Sequence, residues 1–211
     1  MATICPAVLA GNPHDFREQI ERVAAFARRL HIDLTDGRLA ENRTIAINQA
    51  WWPDYVQADV HLMHKQPEAV LTTLLRLKPH LVIVHAESEG SFLKIAQTLH
   101  SNEIKVGIAL LHDTHVSTIE PVIDVLDHVL VFSGNLGHYG GKANMHLVGK
   151  VSEIKNLKSN IEVGWDGGIN AENIKTLVHN GVDVLDVGGF IQKSSNPEDA
   201  YAKLRAVLRG D

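Results

Sequence analysis

Four side chains that suit a divalent metal ion stand at the ends of three short apolar segments. His31 and Asp33 are two residues apart in one segment, His61 is near the end of the next, and Asp166 ends a later one. Residues two apart in a β-strand face the same side of a sheet. Imidazole and carboxylate together suit Zn²⁺, Fe²⁺, Mn²⁺ or Co²⁺ better than Ca²⁺ or Mg²⁺. We therefore expect one divalent metal ion here if the fold brings the three segments together.

Each of these residues alone has a simpler structural explanation. A buried histidine commonly has a backbone partner, and an aspartate after a strand commonly caps a turn. The coincidence of all four at predicted strand ends favours the metal site. Two further aspartates are assigned structural roles, because Asp36 precedes Gly37 in a predicted turn and Asp59 is expected to point away from His61.

Glycine-rich segments follow three of the apolar segments in the second half of the chain. Glycine lets backbone N–H groups approach an anion closely, and the amino terminus of a following helix adds a favourable dipole. Together these segments predict a phosphate site. The glycines are Gly134, Gly137, Gly140 and Gly141 in the first segment, Gly167 and Gly168 in the second, and Gly188 and Gly189 in the third.

Short apolar or β-branched segments alternate with amphipathic stretches from end to end. Strands that alternate with helices indicate βαβ units with right-handed crossovers. The predicted strands are Ile4–Leu9, Leu30–Leu34, Val56–Met63, Leu81–His85, Lys105–Leu110, His128–Phe132, Ile161–Asp166 and Val182–Val187. The predicted helices are a first one from Phe16 to Ala27, then Glu68–Leu77, Ser91–His100, His146–Leu157, Ala171–Asn180 and Pro197–Arg209.

Eight such strands predict an α/β chain folded as one (β/α)8 TIM barrel, a single domain over residues 1–211. The main rival is an open doubly wound sheet, which would carry a glycine fingerprint after its first strand; Gly11 alone does not supply one. In a barrel the reactive groups lie at the carboxyl ends of the strands, and the loops after strands seven and eight commonly bind phosphate. Both predicted sites therefore belong to the same end of the molecule.

The composition narrows the choice of partners. A formal net charge of -5 without any basic run argues against a nucleic-acid surface. No apolar stretch reaches the roughly 18 residues of a membrane span, and the amino terminus does not resemble a signal peptide. The single cysteine, Cys5, cannot form an internal disulfide, so we expect a cytoplasmic protein.

With these residues assembled, the chain resembles the ribulose-phosphate 3-epimerase family across nearly its whole length. The first two matching segments and the last appear in order and at spacings similar to those of the family. The matching segments are His-Ile-Asp-Leu-Thr-Asp-Gly at 31–37, Asp-Val-His-Leu-Met at 59–63, Val-His-Ala-Glu at 84–87, Ser-Gly-Asn-Leu-Gly-His-Tyr-Gly-Gly at 133–141 and Asp-Gly-Gly-Ile-Asn at 166–170.

The resemblance implies an isomerase that epimerises a ketose phosphate at C3, with D-ribulose 5-phosphate to D-xylulose 5-phosphate as the leading reaction. It implies that His31, Asp33, His61 and Asp166 bind one divalent ion, and that the two aspartates also act as acid and base through an enediolate. It further implies a small phosphorylated sugar as partner and a homo-oligomer. The implied substrate- and phosphate-binding residues are Met63, Ser133, Gly137, Gly140, Gly141, Gly167, Gly168, Gly188 and Gly189.

Several positions around the expected sugar depart from the family pattern. Ala7 replaces a serine of the first strand, Thr35 and Phe132 replace methionines while Met63 remains, and Gly189 replaces a serine. Leucine also replaces the proline of the family's Asn-Pro-Gly segment at position 136. Because pocket contacts set discrimination between substrates, these changes leave the exact ketose phosphate open.

Two alternatives therefore stand beside the leading reaction. One is an epimerase for another ketose phosphate, such as a hexulose 6-phosphate, and the other is a catalytically weak paralogue that binds sugar phosphates. Related barrels that decarboxylate or condense sugar phosphates usually carry a lysine within the second-strand motif, and the segment 33–36 has none. The pair Trp51–Trp52 either forms part of an oligomer interface or packs beneath its loop.

Overall fold

Eight parallel strands close into one barrel in the computed structural model, which describes residues 2–210. Each strand pairs with the next along the chain, and the eighth pairs with the first. This confirms the predicted (β/α)8 barrel. The strands are β1 (Thr3–Val8), β2 (Arg29–Thr35), β3 (Gln57–Met63), β4 (Leu81–His85), β5 (Lys105–Leu110), β6 (His128–Phe132), β7 (Glu162–Asp166) and β8 (Val184–Val187).

The α-helices cover the outside of the barrel, and their ends follow local capping signals. Asn12 and Asn196 accept hydrogen bonds from the backbone of the first turns of α1 and α7, and a proline follows each cap. The helices are α1 (Pro13–Ala24), α2 (Leu71–Leu77), α3 (Phe92–His100), α4 (Val148–Leu157), α5 (Ile174–His179), α6 (Gly189–Gln192) and α7 (Pro197–Arg209).

Several predicted helices are shorter than expected, because their first turns adopt other conformations. The predicted helix 68–77 is a 3₁₀ turn, Pro67–Val70, followed by α2, and the predicted helix 146–157 begins as α4 after a 3₁₀ turn, Met145–Leu147. Helix α5 begins three residues later than predicted, after the segment 170–173 has formed a turn held by the side chains of Asn170 and Asn173.

No α-helix connects β2 to β3 or β5 to β6 within the described residues. The first connection contains only the short 3₁₀ segment Ile47–Gln49, and the second contains the 3₁₀ segment Val116–Val125. Pro121 lies inside the latter, and a proline removes a backbone donor from a helix interior. Trp51 and Trp52 in the first connection are partly buried against the core.

Strand register places the predicted metal ligands at neighbouring levels of the barrel, with His31 two residues before Asp33 in β2. Asp33 pairs with His61 across β2 and β3, while Asp166 of β7 pairs with Phe132 on one side and Asp186 on the other. Apolar residues fill the rest of the lumen around Leu81, Ile83, Ala109 and Leu130. The outer faces of the strands pack against the helices in a second, larger core.

An ion network closes the opposite, amino-terminal end of the lumen. Nε of Arg29 lies 2.6 Å from Asp59, and its terminal nitrogens lie 2.9 and 2.7 Å from the two carboxylate oxygens of Glu162. Asp59 also contacts Nδ1 of His80 at 2.8 Å. The expectation that Asp59 points away from His61 was wrong, because residues two apart in β3 share the lumen face. Asp59 nevertheless has the structural role expected of it.

Asp36 also has the predicted turn role. Its carboxylate accepts hydrogen bonds from the backbone N–H groups of Arg38, Leu39 and Lys65. Within residues 2–210, no helix has the length and apolarity that a membrane crossing requires.

Candidate metal and acid–base site

The four predicted metal ligands meet at the carboxyl-terminal mouth of the barrel. One ligand atom from each of His31, Asp33, His61 and Asp166 lies within 4.8 Å of every other. Nε2 of His31 is 3.3 Å from Asp33 and 3.8 Å from Asp166. Nδ1 of His61 is 2.9 Å from Asp33 and 3.8 Å from Asp166. Two nitrogens and two carboxylate oxygens therefore face a common point.

The surroundings of Asp33 and Asp166 shift the pKa values of the two carboxyl groups in opposite directions. Burial opposes the charged form of Asp33, but His31 and His61 beside it bring its pKa below the usual range. Burial, together with the nearby charge of Asp33, raises the pKa of Asp166 well above its usual value. Two neighbouring carboxyl groups whose pKa values are shifted in opposite directions are typical of acid–base catalytic sites.

The two histidines also differ. Burial lowers the pKa of His61 to about 3, so its imidazole is neutral and can offer a lone pair. Burial also disfavours the charged form of His31, but the charges of Asp186 and Asp33 outweigh it and raise its pKa.

A second layer of polar groups contacts the histidines; Asp186 and His85 are buried in it, and Glu87 is partly exposed. Nδ1 of His31 is 3.3 Å from Oδ1 of Asp186, and Nε2 of His61 is 2.8 Å from Nε2 of His85. Nδ1 of His85 is in turn 3.2 Å from Glu87. Asp186, His85 and Glu87 were not among the residues predicted for the site. Two features of the sequence could have indicated them: the His-x-Glu spacing at the end of β4 and the polar residue inside the otherwise apolar β8.

Beside this cluster the loops after β6, β7 and β8 surround a cavity of about 230 Å³. Gly167 and Gly168 have φ angles of 112° and 71°, and a Cβ at either would collide with the backbone of the β6 loop. The cavity is lined by the cluster aspartates and by predicted binding residues. The predicted residues among them are Met63, Gly137, Gly140, Gly141, Gly167, Gly168, Gly188 and Gly189.

Ser133 lies behind this cavity and braces its wall. Its hydroxyl accepts a hydrogen bond from the amide of Asn144 at 2.7 Å, and its own amide donates to the carbonyl of Asp166 at 2.6 Å. The side chain is buried and is absent from the cavity lining. The geometry thus brings together every predicted site residue except Ser133, which supports the loop that carries the glycines.

The Tyr139 hydroxyl contacts the backbone of Ala7, the first-strand position that departs from the family pattern. This hydroxyl is 2.9 Å from the carbonyl oxygen of Ala7 and 2.6 Å from Oε1 of Gln19 in α1. The amide of Leu9 donates to the same hydroxyl. Of the two residues that replace methionines, Phe132 lines the cavity, whereas the Thr35 hydroxyl donates to the carbonyl of Asn42, away from the cavity.

Comparisons with known proteins show the family of the chain. The model of the family described as "Ribulose-phosphate 3 epimerase family" matches residues 3–191. The chain belongs to the ribulose-phosphate 3-epimerase family. It is 29% identical to ribulose-phosphate 3-epimerase of Bacillus subtilis, over 97% of this chain and 99% of that one. It is 31% identical to the Helicobacter pylori enzyme, over 97% of each chain. The protein is therefore an enzyme of the isomerase class.

Solved structures show the same fold at lower identity. A 3-hexulose-6-phosphate synthase matches with a TM-score of 0.73 at 16% identity, over 98% of this chain and 99% of that one. The KGPDC protein of Streptococcus mutans matches with a TM-score of 0.74 at 12% identity, over 99% of this chain and 98% of that one. At these identities the similarity concerns the barrel alone.

Proposed function

We propose that the protein interconverts D-ribulose 5-phosphate and D-xylulose 5-phosphate by moving a proton at C3. The observation that carries this proposal is the convergence of Asp33 and Asp166 on one point beside a glycine-lined cavity. Ribulose-phosphate 3-epimerases of Bacillus subtilis and Helicobacter pylori, which resemble this chain over nearly all of its length, carry that reaction in their names.

The four-residue cluster fits the divalent ion that the sequence leads us to expect. Nε2 of His31 is buried and has no hydrogen-bond partner within residues 2–210, which is unusual for a core histidine and ordinary for a ligand. His31, Asp33, His61 and Asp166 would hold the ion. The mixed nitrogen and carboxylate set suits Zn²⁺, Fe²⁺, Mn²⁺ or Co²⁺. When bound, the ion supplies stabilisation of the negative charge that develops on the sugar oxygens.

The two aspartates supply the proton transfers. One removes the proton from C3, and the other delivers a proton to the opposite face of the resulting enediolate. The reaction is reversible, so each carboxyl group serves as base in one direction and as acid in the other. The side chains of Asp33 and Asp166 are 10% and 14% exposed, so each carboxyl group faces the cavity while most of its surface is covered by protein.

The glycine loops bind the phosphate. The cavity next to the cluster is lined by Gly140, Gly141, Gly167, Gly168, Gly188 and Gly189, whose backbone N–H groups are the proposed donors to the phosphate. The loops after strands seven and eight commonly bind phosphate in barrels of this kind. A phosphate there would hold the sugar chain with its reacting carbon towards the aspartates.

Proton exchange at C3 tests this function. The metal-loaded protein is incubated with ribulose 5-phosphate in D₂O, and NMR follows both loss of the C3 proton and formation of xylulose 5-phosphate. Asp33→Asn and Asp166→Asn should each slow exchange by about 10²–10⁴-fold, while Asp54→Asn, at an exposed position outside the cavity, should not.

A substrate panel with hexulose 6-phosphates separates the alternatives. Faster turnover of a hexulose 6-phosphate would replace the proposed substrate. Tight binding of sugar phosphates without any exchange would favour the non-catalytic paralogue, which the retained pair of aspartates argues against.

A further inference from the structure

The polar groups that contact His31 and His61 from behind determine which nitrogen of each imidazole carries the proton. We propose that Asp186 and the His85–Glu87 pair fix the tautomers of His31 and His61, so that each imidazole presents a lone pair to the metal ion. These three side chains are positioning residues, since none reaches the point where the four ligand atoms meet. The inference rests on the metal site of the proposed function and extends it to residues outside that site.

The two ring nitrogens of His31 face different partners. Its Nε2 faces Asp33 and Asp166, and its Nδ1 faces Oδ1 of Asp186 at 3.3 Å. The two facing atoms lack the alignment of a full hydrogen bond, yet neither has any other partner within residues 2–210. When Nε2 ligates an ion, the His31 imidazole is neutral and carries one proton. Because a carboxylate only accepts, Asp186 places that proton on Nδ1 and leaves the Nε2 lone pair for the ion.

His61 uses the opposite ring nitrogen. Its Nδ1 faces Asp33, and its Nε2 lies 2.8 Å from Nε2 of His85. Two imidazole nitrogens at this distance require one donor and one acceptor. If His61 is to offer its Nδ1 lone pair to an ion, its proton stays on Nε2 and His85 accepts it. The proton of His85 is then on Nδ1, which lies 3.2 Å from Glu87.

With an ion between Asp33 and Nδ1 of His61, which are 2.9 Å apart, Glu87 sets the direction of this chain of hydrogen bonds. In the reverse arrangement, the Nδ1 lone pair of His85 would face the Glu87 carboxylate, two acceptors in contact. That arrangement would also put the His61 proton on Nδ1 and block it as a ligand. Glu87 is itself fixed, because Thr114 donates its hydroxyl to Oε1 and the amide of Leu111 lies 3.4 Å from the same oxygen.

Both metal histidines are therefore oriented by a carboxylate, one directly and one through a second imidazole. Removal of such an orienting partner typically weakens metal affinity by 10–100-fold. Amide substitutions are the sharpest test, since an amide keeps the size of the carboxylate but can also donate. Asn at 186 or Gln at 87 would stabilise the tautomer that turns an N–H towards the ion.

The affinity of the intact protein for Zn²⁺ measures this effect without any substrate. Competition with a chromophoric chelator should show a Kd for Zn²⁺ about 10–100-fold weaker in Asp186→Asn and in Glu87→Gln than in the unaltered chain. Asp127→Asn is the matched control, because Asp127 forms a 2.8 Å pair with His100 at a half-exposed position away from the site. Its Kd should stay unchanged.

Imidazole ¹⁵N NMR of the Zn²⁺-loaded protein reads the proton positions directly. We expect one protonated nitrogen on each ring, Nδ1 in His31, Nε2 in His61 and Nδ1 in His85. A His85 ring protonated on Nε2 would overturn the proposed direction. Kd values within about threefold of the unaltered chain in both amide variants would overturn the positioning role. If the unaltered chain bound no divalent ion, the metal site of the proposed function would itself fail, which is a separate and recognisable result.

Discussion

The Tyr139 hydroxyl ties the loop after β6 to the first strand and to α1. The hydroxyl contacts Ala7 and Gln19. The ring packs so closely on Gly188 that a Cβ at position 188 would lie 2.6 Å from it. The same loop carries Gly140 and Gly141, two of the proposed phosphate ligands. Tyr139→Phe removes the hydrogen bond that the hydroxyl donates and the one that it accepts from the amide of Leu9, together worth about 2 kcal/mol or about 30-fold. We expect steady-state kinetics to show a KM raised by about that factor and a nearly unchanged kcat.

Tyr201→Phe provides the matched control for this prediction. The Tyr201 ring packs on Phe26 at a centroid distance of 5.1 Å, outside the substrate cavity. Its hydroxyl has no hydrogen-bond partner in the part of the chain that the structure describes, so its loss should leave KM unchanged. A lower kcat with unchanged KM in Tyr139→Phe would show that the hydroxyl acts on the chemical step and not on the loop.

At the level of single residues, the four members of the metal cluster could be predicted from the sequence, but the residues that contact and orient them could not. Alternation in β2 and strand-end positions were enough to group His31 and Asp33 with two residues from other strands. The contacts of His85 and Asp186 depend on distances across the lumen, which strand periodicity does not contain. Ser133 was predicted as a ligand from its segment, but its hydroxyl faces the backbone of Asn144.

Among the elements, α1 begins at a cap that contributes to stability. Oδ1 of Asn12 accepts from the amide of Asp15 at 3.0 Å, and Pro13 follows the cap. Asn12→Ala leaves that amide without its partner and should lower the free energy of unfolding by about 1 kcal/mol. Asn12→Ser can still accept the hydrogen bond and should retain most of the stability. Urea denaturation of both variants measures the difference; equal losses would mean that the side chain acts through some other contact.

The strands were more predictable than the helices for a physical reason. A barrel strand is buried on both faces, so its apolar run ends where the strand ends, and β4, β5 and β6 match their predicted bounds. The connections are only half buried, and apolar spacing there does not distinguish a 3₁₀ segment from an α-helix. The segment Val116–Val125 shows this, since it buries Val116 and Ile119 while remaining 3₁₀.

For the molecule as a whole, a bound metal ion should act as a ligand of the folded state. The four groups of the cluster come from β2, β3 and β7, so the unfolded chain does not present them together. One site saturated at 100 times its Kd stabilises a protein by about 2.7 kcal/mol. For a chain of this size that is roughly 5–10 °C in Tm. Thermal unfolding with Zn²⁺ and after chelation should show this difference; equal Tm values would contradict tight binding at the cluster.

The ion network at the amino-terminal end makes global stability depend on pH. Burial opposes the charged form of Glu162, but its hydrogen bonds with Arg29 and His128 hold its pKa well below the ordinary value of 4.5. A carboxyl group with a lowered pKa stabilises the fold above its ordinary pKa, and this contribution is lost progressively as the pH falls below that value. Glu162→Gln removes the contribution at every pH.

The difference in unfolding free energy between the unaltered chain and Glu162→Gln should therefore be constant between pH 7 and about pH 5.5. It should then shrink as the pH falls through about 4.5 towards 3. Urea denaturation across this range measures it, with Glu120→Gln, at an exposed position, as the control. A difference that grew at low pH would require the carboxyl group to be stabilised in its protonated form. The pairing of Arg29 with Glu162 across the closed end of the barrel argues against that result.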